Sequence, residues 1–283
     1  MDALELIKGA IDIHIHIPPD PNRRRRLTAY EVVVQAKEAG MRGVVLKSHD
    51  YVTTPVTYLL QQLVTGIEIF GALALDEEVG GLNPSTVEMA GKIRTRIVWM
   101  PTFSSQCDMQ KKKIPGKGIS ILDSQGKILP VVTDILKSIK KYDMTLATGH
   151  ISTQEIFALL NEAQSIGVQR IIVTHPSSIS FGCNASVEDQ KKMVRPGVFI
   201  EHCFGSTMPA SDRIDPQKIA DAMRAVGPEH CIMSTDFGQI LNPPPVEGMR
   251  MYIENMLRCG ITEDEIIKMV KKNPAQALGL ANP

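Results

Sequence analysis

Ile11-Asp-Ile-His-Ile-His-Ile17 alternates isoleucine with polar residues, which is the period of a β-strand. Successive strand side chains point to opposite faces, so His14 and His16 share one face while Ile13, Ile15 and Ile17 are expected to face the other, toward helices. Two imidazoles on an inward face suit a single borderline metal ion such as zinc. The alternative for an isolated His-x-His is a polar pair in a loop. What surrounds this strand decides between the two.

Downstream, short β-branched runs alternate with segments of helical period, the pattern of repeated βαβ units around a parallel sheet. Strands are expected at Gly43 to His49, Ile67 to Leu75, Arg96 to Pro101, Met144 to His150, Arg170 to His175, Val198 to Cys203 and Cys231 to Asp236. Helices are expected between them, for example Thr28 to Ala39, Leu129 to Tyr142 and Thr153 to Ser165, with later ones at Val246 to Arg258 and Glu263 to Lys271. The polar stretch Ser104 to Lys127 lacks helical period and reads as a long loop. Eight strands in strict alternation with helices predict an α/β fold, a single (β/α)8 TIM barrel, rather than an open doubly wound sheet. One domain is expected over 1–283, with a loop excursion at 104–128 after strand four and a C-terminal helical extension at 260–283.

Six of the seven histidines end a predicted strand: His14, His16, His49, His150, His175 and His202, while His230 begins one. The C-terminal strand ends form the active-site mouth of a barrel. A buried, hydrogen-bonded core histidine is the plain alternative for His150 or His175. For Asp236, which ends Ile232-Met-Ser-Thr-Asp236, the alternative is a helix cap. The concentration of these residues at one end of the barrel favours a metal site.

This joint pattern, His-x-His on strand one with His150, His175 and Asp236 on strands five, six and eight, resembles the amidohydrolase superfamily of metal-dependent barrels. The ending Asn273-Pro-Ala-Gln-Ala-Leu-Gly-Leu280 is also similar to one common in that superfamily. The resemblance covers nearly the whole chain and leaves the substrate undefined. It implies that His14, His16, His150 and Asp236 bind the more buried metal, and that Asp236 takes a proton from water. His175 would hold a second metal or polarise the substrate. The implied cofactor is a divalent ion, zinc first, with manganese, iron or nickel as alternatives.

Strand four departs from the binuclear pattern, in which a carboxylated lysine or a glutamate bridges two metals. Here Val98-Trp-Met-Pro-Thr-Phe-Ser104 has neither, so one ion is favoured over two, as in the aminocarboxymuconate-semialdehyde decarboxylase branch. Asp76 and Glu77 end strand three and read as solvated loop residues. Lys47 and His49 share a face of strand two; Lys47 would neutralise an anionic substrate, bridge metals if carboxylated, or pair with a buried acid. His49 and His202 are candidates for substrate contacts, outer supports or extra ligands. Arg23-Arg-Arg-Arg26 lies in the loop above the mouth, as a solvated run or with one arginine turned inward to grip a carboxylate or phosphate. Lys111 to Lys113 read as surface loop, and Asn242-Pro-Pro-Pro245 as a stiff wall of the site.

Composition narrows the rest. Lys plus Arg and Asp plus Glu are equal at 31 each, so no general charge drives the chain toward nucleic acid or an anionic membrane. No segment carries the apolar run of a membrane span or a signal peptide, and the five scattered cysteines have no CxxC spacing, which predicts a reduced, cytoplasmic setting. No glycine-rich nucleotide motif follows the first strand or occurs elsewhere. The expected partner is a small-molecule substrate, with homo-oligomerisation open. The expected reaction is metal-assisted hydrolysis of a small anionic amide, ester or phosphoester. The competing readings are a mononuclear non-oxidative decarboxylase and a catalytically idle barrel that only binds.

Overall fold

A computed structural model describes residues 2–281; positions 1, 282 and 283 of the expected domain lie outside it. Among the described residues, eight strands form one sheet in the order β1 to β8. They are β1 (Ile11–His16), β2 (Gly43–Lys47), β3 (Glu68–Ala74), β4 (Ile97–Trp99), β5 (Thr145–Ala147), β6 (Ile171–Val173), β7 (Val198–Cys203) and β8 (Cys231–Ser234). Each pairs in parallel with the next. The seam between β8 and β1 has no ladder, only the bridge of Ile15 with Phe237 and the main-chain bonds Asp236 N to His14 O (2.9 Å) and His16 N to Phe237 O (2.7 Å). Asp12 reinforces it, accepting from Thr235 N at 3.1 Å and Thr235 Oγ1 at 2.5 Å.

Helices lie outside the ring: α1 (Ala3–Leu6), α2 (Ala29–Glu38), α3 (Thr54–Leu63), α4 (Pro84–Lys92), α5 (Gln106–Lys112), α6 (Pro130–Lys141), α7 (Thr153–Ile166), α8 (Val187–Met193), α9 (Pro216–Val226), α10 (Pro245–Arg258), α11 (Glu263–Ile267) and α12 (Asn273–Ala277). None among the described residues is long and apolar enough to cross a membrane. Strand alternation divides the apolar side chains into two cores. The larger lies between strands and helices and contains Val44, Leu46, Leu73, Val98, Leu146 and Ile200. The smaller fills the barrel with Val45, Ala74, Trp99, Ala147, Phe199 and Ile232, and is closed below by Ala275, Ala277 and Leu278. Asn273 fastens this floor, donating from Nδ2 to Pro228 O (2.8 Å) and Cys231 O (2.6 Å).

Three local features differ from the expectation. Ile13 does not face the helices with Ile15 and Ile17; it joins Ile11 in the barrel interior. The cause is a β-bulge: Asp12 pairs with Val44 but Ile15 pairs with Leu46, so one extra residue enters β1 and its phase changes. The stretch after β4 is also more ordered than its polarity implies. Ser105 Oγ accepts from Asp108 N at 3.1 Å and caps α5, a seven-residue helix too short to display a hydrophobic period. A π-helical turn at Lys268–Lys272 ends the expected Glu263 to Lys271 helix and leads into α12.

Candidate metal centre and mouth of the barrel

Beyond the bulge, β1 turns His14 and His16 inward beside the end of β8. His14 Nε2 lies 3.4 Å from Asp236 Oδ1, and His16 Nε2 lies 2.8 Å from the same oxygen. One ligand atom from each of the three residues falls within 4.8 Å of the others. Burial holds both imidazoles neutral, His14 down at about 3 and His16 well below the usual range, with neighbouring cations adding to the effect. Burial also pushes the Asp236 carboxyl up, against the opposing pull of His14 and Lys47. A neutral imidazole whose other nitrogen carries the proton can offer a lone pair to a cation.

The proton positions of His14 follow from its partners. Nδ1 faces Glu201 Oε1 at 3.1 Å, and an ionised carboxylate only accepts, so Nδ1 carries the hydrogen and Nε2 the lone pair. Lys47 Nζ donates to that lone pair at 3.1 Å. Lys47 is fully buried, with its ammonium 4.8 Å from the centre of the Trp99 ring, and burial lowers its pKa against the pull of Asp236, Asp76 and Glu201. Acceptor atoms of His14 and Asp236 thus face one another with a positive charge beside them. This donor set, two imidazoles and a carboxylate, fits a divalent ion of the zinc type.

The same device recurs twice. His150 Nδ1 donates to Asp108 Oδ2 at 2.8 Å, and His49 Nδ1 faces Asp76 Oδ2 at 3.2 Å and Thr102 Oγ1 at 2.7 Å. Asp76 also accepts from Thr102 N, Ser104 N and the Thr102 hydroxyl. Burial would raise both aspartates, but hydrogen bonds and the facing imidazoles outweigh it and hold them below the ordinary carboxylate range. Each histidine is thereby locked by Nδ1 with Nε2 left for other contacts; His49 Nε2 is buried without a partner. Asp76 is therefore not a solvated loop residue: it is completely buried and positions His49.

A cavity of about 300 Å³ opens above these groups, lined by His16, His49, His150, His175 and Asp236 among others. That volume is at the lower end of small-molecule sites, roughly 300–1,000 Å³. His175 and Asp236 both have left-handed backbone, with φ of 24° and 54°. Strain of this kind costs about 1–3 kcal/mol at a non-glycine residue and concentrates where a side chain must be aimed. His175 Nδ1 is buried without a partner, and its ring lies 4.9 Å from that of His150 and 5.9 Å from that of His14.

The candidate residues fall into groups. His14, His16 and Asp236 converge; His150 and His175 share the cavity but stand outside the tight cluster. Lys47 supports His14, and His49 lines the cavity. His202 is elsewhere: it is buried and absent from the cavity, and neighbouring Ile200 packs toward the helices. Its neighbour Glu201 is the inward residue. Sequence reasoning missed Glu201 and Asp108. An acid inside the apolar run Val198-Phe-Ile-Glu201 needs a buried partner, and Ser105 to Asp108 is a helix-capping spacing; both signals were present. The lysines after Asp108 are not plain surface loop either, because Lys112 pairs with Asp108 at 2.9 Å and lies 4.1 Å from the centre of the Phe181 ring.

The class defined by this architecture is a TIM-barrel fold, the fold also of solved structures of amidohydrolase-type enzymes. An amidohydrolase from Pseudomonas aeruginosa superposes with a TM-score of 0.69 at 13% identity, covering 98% of each chain. A putative 2-pyrone-4,6-dicarboxylic acid hydrolase from Pseudomonas putida gives 0.62 at 14% identity, covering 96% of this chain and 97% of that one. A 2,6-dihydroxybenzoate decarboxylase from Rhizobium gives 0.57 at 12% identity, covering 96% and 99%. At such identities the likeness is one of fold. By sequence, residues 9–201 match the model of a family of unknown function, DUF6282, and the chain belongs to that family. No curated protein matches it.

Proposed function

We propose that this protein is a metal-dependent hydrolase, with zinc as the expected ion, acting on a small anionic amide, ester or phosphoester. The observation that carries the reading is the convergence of His14, His16 and Asp236 within 4.8 Å at the mouth of the barrel. These three residues would hold the ion, with His150 as a further donor and His175 free to act on the substrate. A divalent ion there would lower the pKa of water toward about 7 and polarise a carbonyl or phosphoryl oxygen. Asp236 accepts the proton of the attacking water at a carboxylate oxygen and returns it to the leaving group. Burial raises its pKa, which brings it nearer the range useful for that exchange. His175, kept neutral by burial and facing the cavity, donates to the oxygen on which charge develops. Glu201 fixes the His14 ring through Nδ1, which leaves Nε2 for the ion.

One observation supports a second reading, a non-oxidative decarboxylase at the same centre. No carboxylate stands at the end of β4 to bridge two ions; Thr102 and Ser104 are there and serve Asp76. Metal content per chain is the first measurement, followed by a screen of carboxylated esters, lactones, amides and phosphoesters for hydrolysis and of aromatic acids for CO₂ release. Asp236→Asn is expected to keep the fold and to lose turnover. Turnover at the wild-type rate with metal intact would refute the assignment.

A further inference from the structure

The four consecutive arginines above the mouth have different surroundings. Arg26 is a loop fastener: its backbone N–H donates to Gly238 O at 2.8 Å and its Nη2 to Ile240 O at 3.0 Å. Arg25 has turned inward, with its side chain 2% exposed and its Nη2 on Asp20 at 2.5 Å. Its Nε is buried without any partner among the described residues, and the residue lines the cavity. Arg23 stacks its guanidinium 3.9 Å from the centre of the Phe103 ring and forms no side-chain ion pair among the described residues. Arg24 lines the cavity, and its side chain has no hydrogen bond or ion pair among the described residues.

Three arginines therefore face one cavity whose single lining carboxylate, Asp236, belongs to the metal cluster below. A guanidinium stacked on a ring keeps its N–H edge free, and that edge matches the two oxygens of a carboxylate or phosphate. A buried N–H with no partner is costly unless something else satisfies it, and the Arg25 Nε is such a group. Phe103 separates these cations from the cluster. Its ring has Arg23 on it at 3.9 Å and the His49 ring at 4.1 Å, and His49 in turn stacks on His16 at 4.8 Å. The rest of the mouth is apolar: Phe181, Ile240 and Leu241 line it, and Leu241 is 76% exposed.

We propose that Arg23, Arg24 and Arg25 form an anion subsite at the outer end of the cavity, and that the substrate is a small acid with an apolar body whose charged group is a handle. This rests on the hydrolase reading and sharpens it. The acid, a carboxylate or a phosphate monoester, docks beyond Phe103 while a different bond reaches His16 and Asp236. A substrate with one carboxylate then cannot present it to the metal cluster, so decarboxylation of that group is excluded.

The test is calorimetric binding of benzoate, phenyl phosphate and neutral benzamide to the metal-loaded protein and to the Arg23→Ala/Arg24→Ala double variant. Both side chains are at the surface, and the loop keeps its anchors at Asp20, Gly238 and Ile240. The expected result is acid binding weakened about ten- to a hundredfold, the scale of a lost charge-assisted contact, with benzamide unchanged. The stronger of the two acids identifies the handle as carboxylate or phosphate. A second variant, Arg25→Lys, keeps the charge but removes the Nε–H and is expected to weaken acid binding as well. Acids binding equally to wild type and the double variant would overturn the subsite. Metal content measured on the same samples separates the two ideas: full metal without acid preference refutes only the subsite. Arginine-dependent acid preference without metal supports the subsite and refutes the hydrolase reading.

Discussion

Glu201→Gln is expected to move two properties that usually travel together in different directions. Glu201 is completely buried, with Oε1 accepting from His14 Nδ1 at 3.1 Å and from Ser234 Oγ at 2.7 Å, while Oε2 has no partner. Burial raises its pKa, which means the folded protein bears a cost for the ionised form. Glutamine keeps the acceptor for His14 and Ser234 and removes the buried charge. It also leaves an amide N–H where Oε2 stood, a cost of about 1–3 kcal/mol. These oppose one another, so the stability of the metal-free protein should change by no more than about 2 kcal/mol. Metal affinity should respond differently. The carboxylate fixes the His14 tautomer and raises the basicity of Nε2, and loss of such an outer partner costs roughly 10–100-fold, or about 1.4–2.7 kcal/mol. Urea unfolding with chelator present reads the first quantity, and competition with a chromophoric chelator reads the second. Unchanged metal affinity would refute the role of Glu201 as holder of a ligand. A stability loss well above 3 kcal/mol with a parallel loss of affinity would make it a structural residue instead.

Three further outcomes follow from the packing. Burial depresses the His202 pKa to about 4, away from the mouth, so the unfolded chain protonates first as pH falls. Its stabilising contribution is full above about 6.5 and is lost on acidification toward 4, by up to about 3 kcal/mol; His202→Gln should flatten that part of a denaturation-versus-pH curve measured in chelator. Gly149→Ala should destabilise by about 3 kcal/mol in thermal unfolding, because φ is 62° and the new Cβ would sit 2.2 Å from Met100 O, just before His150. Ser105→Ala should cost about 1 kcal/mol through the lost cap of α5, and because that helix carries Asp108 it should also weaken metal binding in the chelator assay.

The barrel was legible because its signals are local. Each strand is a short apolar run, the longer helices have their own period and stop, and six histidines mark strand ends by position alone. What could not be read depends on pairing between distant segments. The bulge in β1 is a property of its register with β2, and strict alternation placed Ile13 on the wrong face. On β7 the phase decides between Glu201 and His202 as the inward residue, and histidine was the more conspicuous letter while glutamate was the residue in contact with His14. Arg25 differs from its three neighbours only through Asp20 and the loop after β8.

The holders of the histidines show why candidate ligands are easier to find than their supports. His14, His49 and His150 are held by Glu201 on β7, Asp76 after β3 and Asp108 in α5, none adjacent in sequence to the ring it fixes. Only ring closure brings β7 and β8 against β1, and only the folding of α5 over the mouth brings Asp108 to β5. A ring tied at Nδ1 cannot rotate, so the direction of Nε2 is settled during folding rather than when a ligand arrives. Buried aspartates held below the ordinary carboxylate range, and imidazoles kept neutral above pH 4, keep that arrangement in one protonation state across neutral pH. The mouth is thus held in one arrangement where the proposed metal donors stand, while Arg23 and Arg24 remain solvent-exposed at its rim. Fixed groups below and adaptable cations above are the division of labour that the proposed hydrolase and its proposed acid subsite would require.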